Sequence, residues 1–259
     1  MNYFFHILNK QKYIGLVLLL FSASVFATSG HIYLGGTLGA SMARLGNKTP
    51  QISYDDGNLT DAYPSNGGHS TVTVVGANVG YEFVGSCFKP AIAFGLGVYD
   101  TPTEYGYHGQ VIETALGDPS NALYQYNYNI NSVRIMAEAK LTWMIRQFAP
   151  YIDIGVGPVW NHMNGYTETS VDSIGYVALP PFRSHTNMNL AYQAGLGVGY
   201  MFNFVGYPSN FMQERISVGY RYANLGDANF GTRSTTYPYQ LDTGKLKTND
   251  VYLTYTHLF

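Results

Sequence analysis

Eight charged residues share one parity of alternating segments: Glu82, Arg134, Glu138, Lys140, Asp153, Arg215, Arg221 and Asp250. Four acids and four bases could neutralise one another as ion pairs, or hand a proton or ion along a relay; ion pairing is the commoner use of such groups. A symmetric turn at 144–149 would set Lys140 opposite Asp153 with Glu138 nearby, which predicts a salt-bridged plug. Sharper chemistry is conceivable elsewhere. His162, Ser184 and His185 could supply a base and a nucleophile for acyl chemistry on lipid A, given an acid to orient the imidazole. No His, Ser and acid share a strand face at that spacing, so the chain reads as a non-enzyme. The glycines of GLGVG, 195–199, could cradle a phosphate only at a strand-to-helix turn. No helical pattern follows, and they read as inward glycines that make room. Asp55-Asp56-Gly57-Asn58 offers oxygen ligands for calcium but lacks EF-hand spacing, and reads as a loop turn. His31, His69, His108, His162, His185 and His257 show no metal-ligand spacing, and neither a metal nor a cofactor is expected.

The elements that must position these groups alternate with period two. Eight segments do so: 31–43, 71–83, 90–99, 130–143, 150–162, 188–202, 214–223 and 249–259. Each is long enough to cross a membrane at a tilt. One face of these segments carries Ile32, Leu34, Leu38 and Met42; Val75, Val79, Tyr81 and Phe83; Ile92, Phe94, Leu96 and Val98; Val133, Ile135, Leu141 and Trp143. It continues through Ile152, Ile154, Val156 and Trp160; Leu190, Leu196, Val198 and Phe202; Ile216, Val218 and Tyr220; and Val251, Leu253, Tyr255 and Phe259. The opposite face holds the eight charges, with Asn78, Asn161, Asn189, Gln193 and many glycines. A lysine or arginine facing lipid at the midplane costs roughly 2–4 kcal/mol, so this sorting is what a bilayer imposes. A soluble β-sandwich would have shorter strands and a more charged outer face.

Links of about 25 residues alternate with short ones at 84–89, 144–149 and 203–213. That predicts an all-β fold: an eight-stranded antiparallel transmembrane up-and-down β-barrel with four long extracellular loops and short periplasmic turns. Trp143, Phe83, Phe202 and Phe259 then mark the periplasmic rim, and Trp160, Tyr192 and Tyr222 the outer one. Composition agrees: 29 Gly and 24 Tyr among 259 residues, with only 12% charged residues, favour strands. A formal net charge of −2 gives no reason to expect a nucleic-acid partner. Cys87 stands alone, which excludes an intramolecular disulfide.

Lys10 and Lys12 precede the apolar run Ile14–Phe21 and then SASVFA, ending at Ala27. This is the pattern of a signal peptide over residues 1–27, too short to span a bilayer, with the barrel domain at 28–259. Removing two lysines and no acid leaves 12 − 16 = −4 charges. The expected location is the outer membrane of a Gram-negative cell.

NLAYQAGLGVGYMFN (189–203) and ERISVGYRYANLGD (214–227) resemble the sixth and seventh strands of opacity-type surface antigens, relatives of the OmpA/OmpX-type small outer-membrane barrels. HIYLGGTLGAS (31–41) and PYIDIGVGPVWN (150–161) resemble that family's first and fifth strands. The resemblance covers nearly all of residues 28–259. It implies a surface antigen, adhesin or envelope-stabilising barrel, with outer-membrane lipid, lipopolysaccharide and the assembly machinery as partners and host surface molecules as candidates.

Binding function usually resides in loops, here 44–70, 100–129, 163–187 and 224–248. Tyr54, Tyr63, Tyr105, Tyr107, Tyr124, Tyr126, Tyr166, Tyr176, Tyr237 and Tyr239 are recognition candidates, since tyrosine offers wide contact area with few torsions to freeze. The alternative is that they pack the loops against one another. The terminal strand VYLTYTHLF, through Val251, Leu253, Tyr255 and Phe259, resembles the signal by which such barrels are recognised for assembly. A further alternative function is small-molecule permeation past an apolar outer lumen at Tyr99, Val159 and Ala223.

Overall fold

The computed structural model describes residues 30–46, 49–54, 59–64, 71–83, 89–115, 121–171, 180–202 and 213–259. The signal-peptide expectation and those for Asp55 to Asn58, His69, Cys87 and Tyr176 fall outside them. The described strands are β1 (Gly30–Leu45), β2 (Gln51–Tyr54), β3 (Leu59–Ala62), β4 (Thr71–Phe83), β5 (Ala91–Asp100) and β6 (Tyr105–Ala115). They continue with β7 (Asn121–Thr142), β8 (Phe148–Ser170), β9 (His185–Phe202), β10 (Gln213–Asn229) and β11 (Asp242–Leu258).

Eight of these close a ring in the order β7-β5-β4-β1-β11-β10-β9-β8, shut by β8 pairing back onto β7, and every pairing is antiparallel. Closure leaves no ring edge whose backbone groups would go unpaired in hydrocarbon. At the β1–β11 seam the ladder runs from Tyr33↔Leu258 to Leu45↔Leu246. It is finished by the Phe259 amide donating to the Ile32 carbonyl at 2.8 Å and by His31 Nδ1 lying 3.0 Å from the Phe259 carbonyl oxygen.

The outer surface of the ring is an apolar belt, with Leu190 73% and Ile154 63% exposed and Ile32, Leu38, Leu96, Val218, Val251 and Leu253 alongside. Eight residues of β11, Val251 to Leu258, with Phe259 after them, cover its height, which suits a tilted strand crossing a bilayer. Tyr81, Trp143, Phe148, Tyr200 and Phe259 lie exposed toward the short-turn end, and Tyr192 toward the other. Within the eight alternating segments one charge departs from the sorting. Glu214 stands on the outward parity of β10, but at the short-turn rim, where its carboxylate is 2.7 Å from His257 Nδ1.

The strands outgrow the belt at the long-link end. The expected loops are in large part wall: β7 runs 22 residues and β8 runs 23, and the outer half of β7 pairs with β6, β6 with β3 and β3 with β2. The physical reason is an inversion of polarity. From Tyr124 onward the even-numbered residues of β7 face inward, yet they change from Arg134, Glu138 and Lys140 within the belt to Tyr126, Tyr128 and Ile130 beyond it, where Gln125 and Asn127 face out. In lipid the apolar groups must face outward; in water they must face inward. Glycines at the boundary re-aim the strands. Gly165 (φ 64°) sits at a register shift that lets Met163 and Tyr166 both point in, and Gly226 (φ 74°) does the same for Leu225 and Ala228. Both adopt the left-handed conformation that a side chain disfavours.

Candidate functional site

The inward parity of the ring builds a filled lumen. At its short-turn end Arg215 holds Glu82 through two guanidinium nitrogens, at 2.9 and 3.4 Å, beside the buried Tyr33, Ala93 and Leu258. In the middle, Glu138 accepts hydrogen bonds from the Tyr99 hydroxyl (2.6 Å) and the Gln193 amide (2.7 Å), and Asp153 accepts one from Tyr252 (3.2 Å). Arg221 lies between the Tyr99 and Tyr252 rings, 4.3 and 4.5 Å from their centroids. Toward the outer end Arg134 pairs with Asp250 at 2.6 Å, and Ser41 donates to the same carboxylate at 2.5 Å. The Ser41 hydroxyl is also 2.7 Å from that of Tyr105.

Lys140 and Asp153 do stand opposite each other in the β7–β8 ladder. They do not form the expected ion pair. The Lys140 ammonium instead sits 3.9 Å from the centre of the Tyr151 ring, whose face attracts a cation in a desolvated site. The lumen is thus held by two arginine–carboxylate pairs laced through tyrosines, rather than by salt bridges alone. Tyr33, Tyr99, Tyr151 and Tyr252 complete it, and all four lie on the charge-bearing parity, the signal that could have found the three that sequence reasoning left out. The inward glycines make their room: a Cβ at Gly197 would come within 2.5 Å of the Tyr151 hydroxyl, and one at Gly195 within 2.8 Å of the Asp153 carboxylate. The cavity left between Glu82, Glu138, Lys140, Asp153, Arg215 and Arg221 is about 30 Å³, room for two or three waters and no larger solute.

Above the ion pairs the lumen turns apolar. Val74, Met136, Val159, Ala191 and Ala223 are buried there, and the cluster continues through Ile130, Met163, Leu225 and Leu246 into the extension. Tyr99, Val159 and Ala223, the residues of the alternative apolar passage, are each 1% exposed or less and packed within this cluster.

The extension has an aromatic core. The rings of Tyr107 and Tyr128, Tyr126 and Tyr128, and Tyr126 and Tyr166 stack with centroids 5.4, 5.9 and 6.3 Å apart, and Phe230 meets Tyr128 and Tyr166 edge-on. This corrects the recognition reading: Tyr54, Tyr63, Tyr105, Tyr107, Tyr126 and Tyr166 are all buried and cannot offer a contact surface. Tyr124 and Tyr239 pack partly buried against the same cluster, whereas Tyr237 is exposed. Burying one such ring is worth about 1.5–3 kcal/mol before entropy is counted, which favours packing these rings over displaying them.

Arg233, which no sequence pattern singled out, locks this core. It is buried and grips Glu168 at 2.5 and 3.2 Å, donates to the Tyr63 hydroxyl at 2.7 Å and the Pro180 carbonyl at 2.9 Å, and lies 4.0 Å from the Phe182 ring centre. Tyr166 also donates to Glu168. One guanidinium therefore ties Tyr63, just after β3, to β8 and to the segments at 180–182 and 231–241. Burial opposes its charge, but the hydrogen bonds and charge of Glu168 outweigh that and hold it protonated. His162 Nδ1 lies 2.9 Å from the Thr186 hydroxyl, and Ser184 and His185 are exposed.

Asp61 makes the extension sensitive to pH. It sits across the β3–β6 ladder from Glu113, accepts from Tyr63 at 3.3 Å, and its Oδ1 is buried without a hydrogen-bond partner among the described residues. Burial first, then the charges of Glu113 and Glu168, push its carboxyl from 3.8 up to about 6 against the pull of Arg233. The folded protein then holds this proton more tightly than the unfolded chain does. The associated stability is fully present below about pH 4 and is lost as the pH rises through about 6. Hydrogen-exchange protection of β3 and β6 is expected to fall between pH 4 and 7 and to become level in Asp61→Asn. An equal slope in that variant would contradict the assignment.

No protein-family model matches the chain, and no curated protein matches it. Similar solved structures include the Neisserial surface protein A, NspA (10% identity, TM-score 0.41, covering 88% of this chain and 97% of that one). Others are OprG from Pseudomonas aeruginosa (15%, 0.38, 89% and 95%) and the outer membrane protease OmpT from Escherichia coli (11%, 0.40, 88% and 94%). Likeness at this level decides nothing by itself. The closed eight-stranded ring and lipid-facing belt of this chain are what make it an integral outer-membrane β-barrel.

Proposed function

We propose that this protein is a closed, non-enzymatic barrel that acts by contact at the cell surface, as an adhesin or surface antigen of the opacity type. One observation carries the reading: the lumen is filled along its length, while the wall continues outward as a folded platform locked by Arg233. A conduit needs an open bore, and this barrel spends its inward side chains on ion pairs and aromatic packing. A contact protein needs a rigid support that holds its outermost segments in place. Arg233–Glu168 and the stacked tyrosines provide one, and Tyr237 lies on its exposed side.

Host surface molecules are the proposed partners. Cells displaying the intact protein should bind a host-cell layer, and cells displaying a barrel with the four outer segments shortened to turns should insert it yet lose that binding. Equal binding by both would remove the contact reading.

A further inference from the structure

We propose that Arg44 and Lys247 form a binding site for the phosphorylated head group of an outer-leaflet glycolipid. The two residues stand directly opposite each other across the β1–β11 ladder, both on the outward parity. Like charges so placed destabilise a strand pair. None of the ion pairs among the described residues involves either one. Lys245, the next outward residue along β11, faces Asp227 across the β10–β11 ladder and so has a counter-charge at hand. Among the described residues the Arg44–Lys247 pair has no ion-pair partner.

Their position names the ligand. The next outward side chains toward the belt are Met42, Ala40 and Leu38 on β1, and Asn249, Val251 and Leu253 on β11. Asn249 accepts the Tyr220 hydroxyl. Tyr192, whose hydroxyl accepts from the Asn224 amide at 2.9 Å, lies two strands away at the same level. Two unmatched cations therefore cap a run of apolar side chains where hydrocarbon gives way to the extension. An amphiphile with acyl chains against Leu38, Met42, Val251 and Leu253 puts its head group against them. Phosphate suits the pair, since a guanidinium can fork two of its oxygens while an ammonium neutralises the remaining charge. Because the extension lies beyond this level, the leaflet concerned is the outer one; the inference rests on that orientation of the barrel.

The test uses the whole protein folded in detergent, with bisphosphorylated lipid A, the same lipid stripped of phosphate, and inorganic phosphate as probes, followed by native mass spectrometry. Wild type is expected to prefer the phosphorylated lipid. The R44Q/K247Q variant should keep its heat-modifiable gel shift and bind that lipid about tenfold more weakly, while Lys89→Gln at the opposite end should bind as wild type does. Equal binding of both lipids by wild type, or undiminished binding by the double variant, would overturn the site. Full competition by an equal concentration of inorganic phosphate would overturn the lipid assignment in favour of a soluble anion. Absence of a heat-modifiable shift in wild type would overturn the barrel first, and the site with it.

Discussion

Arg134→Met is expected to lower the unfolding free energy by about 3–5 kcal/mol, the usual cost of leaving a buried charge without its partner. Asp250 would keep Ser41, which donates to it at 2.5 Å, but lose the guanidinium held at 2.6 Å in a setting where both side chains are almost fully buried. Hydrogen bonding by one hydroxyl does not replace a counter-ion where water cannot enter. The compensating experiment is as informative. The R134M/D250L double variant removes both charges, and most of the lost stability should return, because buried pairs add little over apolar groups of similar volume. Urea unfolding in detergent, followed by the fluorescence of Trp143 and Trp160, reads both effects. A loss under about 1 kcal/mol in the single variant would be the behaviour of a solvated surface pair, and would contradict a lumen closed to bulk solvent.

Arg233→Met is expected to act elsewhere. It strands the buried Glu168 carboxylate and removes the donor to Tyr63 and Pro180, so opening of the extension should become easier by about 3 kcal/mol. Hydrogen-exchange protection would fall roughly a hundredfold in the outer parts of β7 and β8, around 124–129 and 164–170. The ring below shares none of these contacts and should retain its heat-modifiable shift. Arg233→Lys should recover little, since an ammonium cannot reproduce the two-pronged grip on Glu168 together with the Tyr63 and Pro180 contacts. Unchanged protection in Arg233→Met would show that aromatic stacking alone holds the platform.

The ring was legible in the alternation because lipid imposes one rule on every strand: Ile152, Ile154 and Val156 face out and Asp153 faces in, whichever partner each later meets. The inward charges were legible for the same reason, but their pairings were not. Register alone put Lys140 opposite Asp153, yet which group a long side chain reaches depends on depth and on neighbouring rings, here Tyr151. The extension was hidden because its rule is reversed. Tyr124, Tyr126, Tyr128 and Ile130 alternate as clearly as any belt residue, but they face inward, so the outward apolar pattern of β7 begins only at Val133. Gly165 and Gly226 hid it further, since a register shift breaks the alternation within β8 and β10. Arg233 lies in a segment without periodicity, and only the folded chain brings it to Glu168, 65 residues away.

The central claim is that the lumen is closed by the protein's own side chains. Planar-bilayer recording of the refolded protein tests it most directly. With Arg215–Glu82 at one end, Arg134–Asp250 near the other and the apolar cluster above them, wild type is expected to show no stable conductance steps. Large, long-lived steps from the folded wild-type protein would contradict the closed lumen, and with it the proposal that this barrel works only at its outer surface.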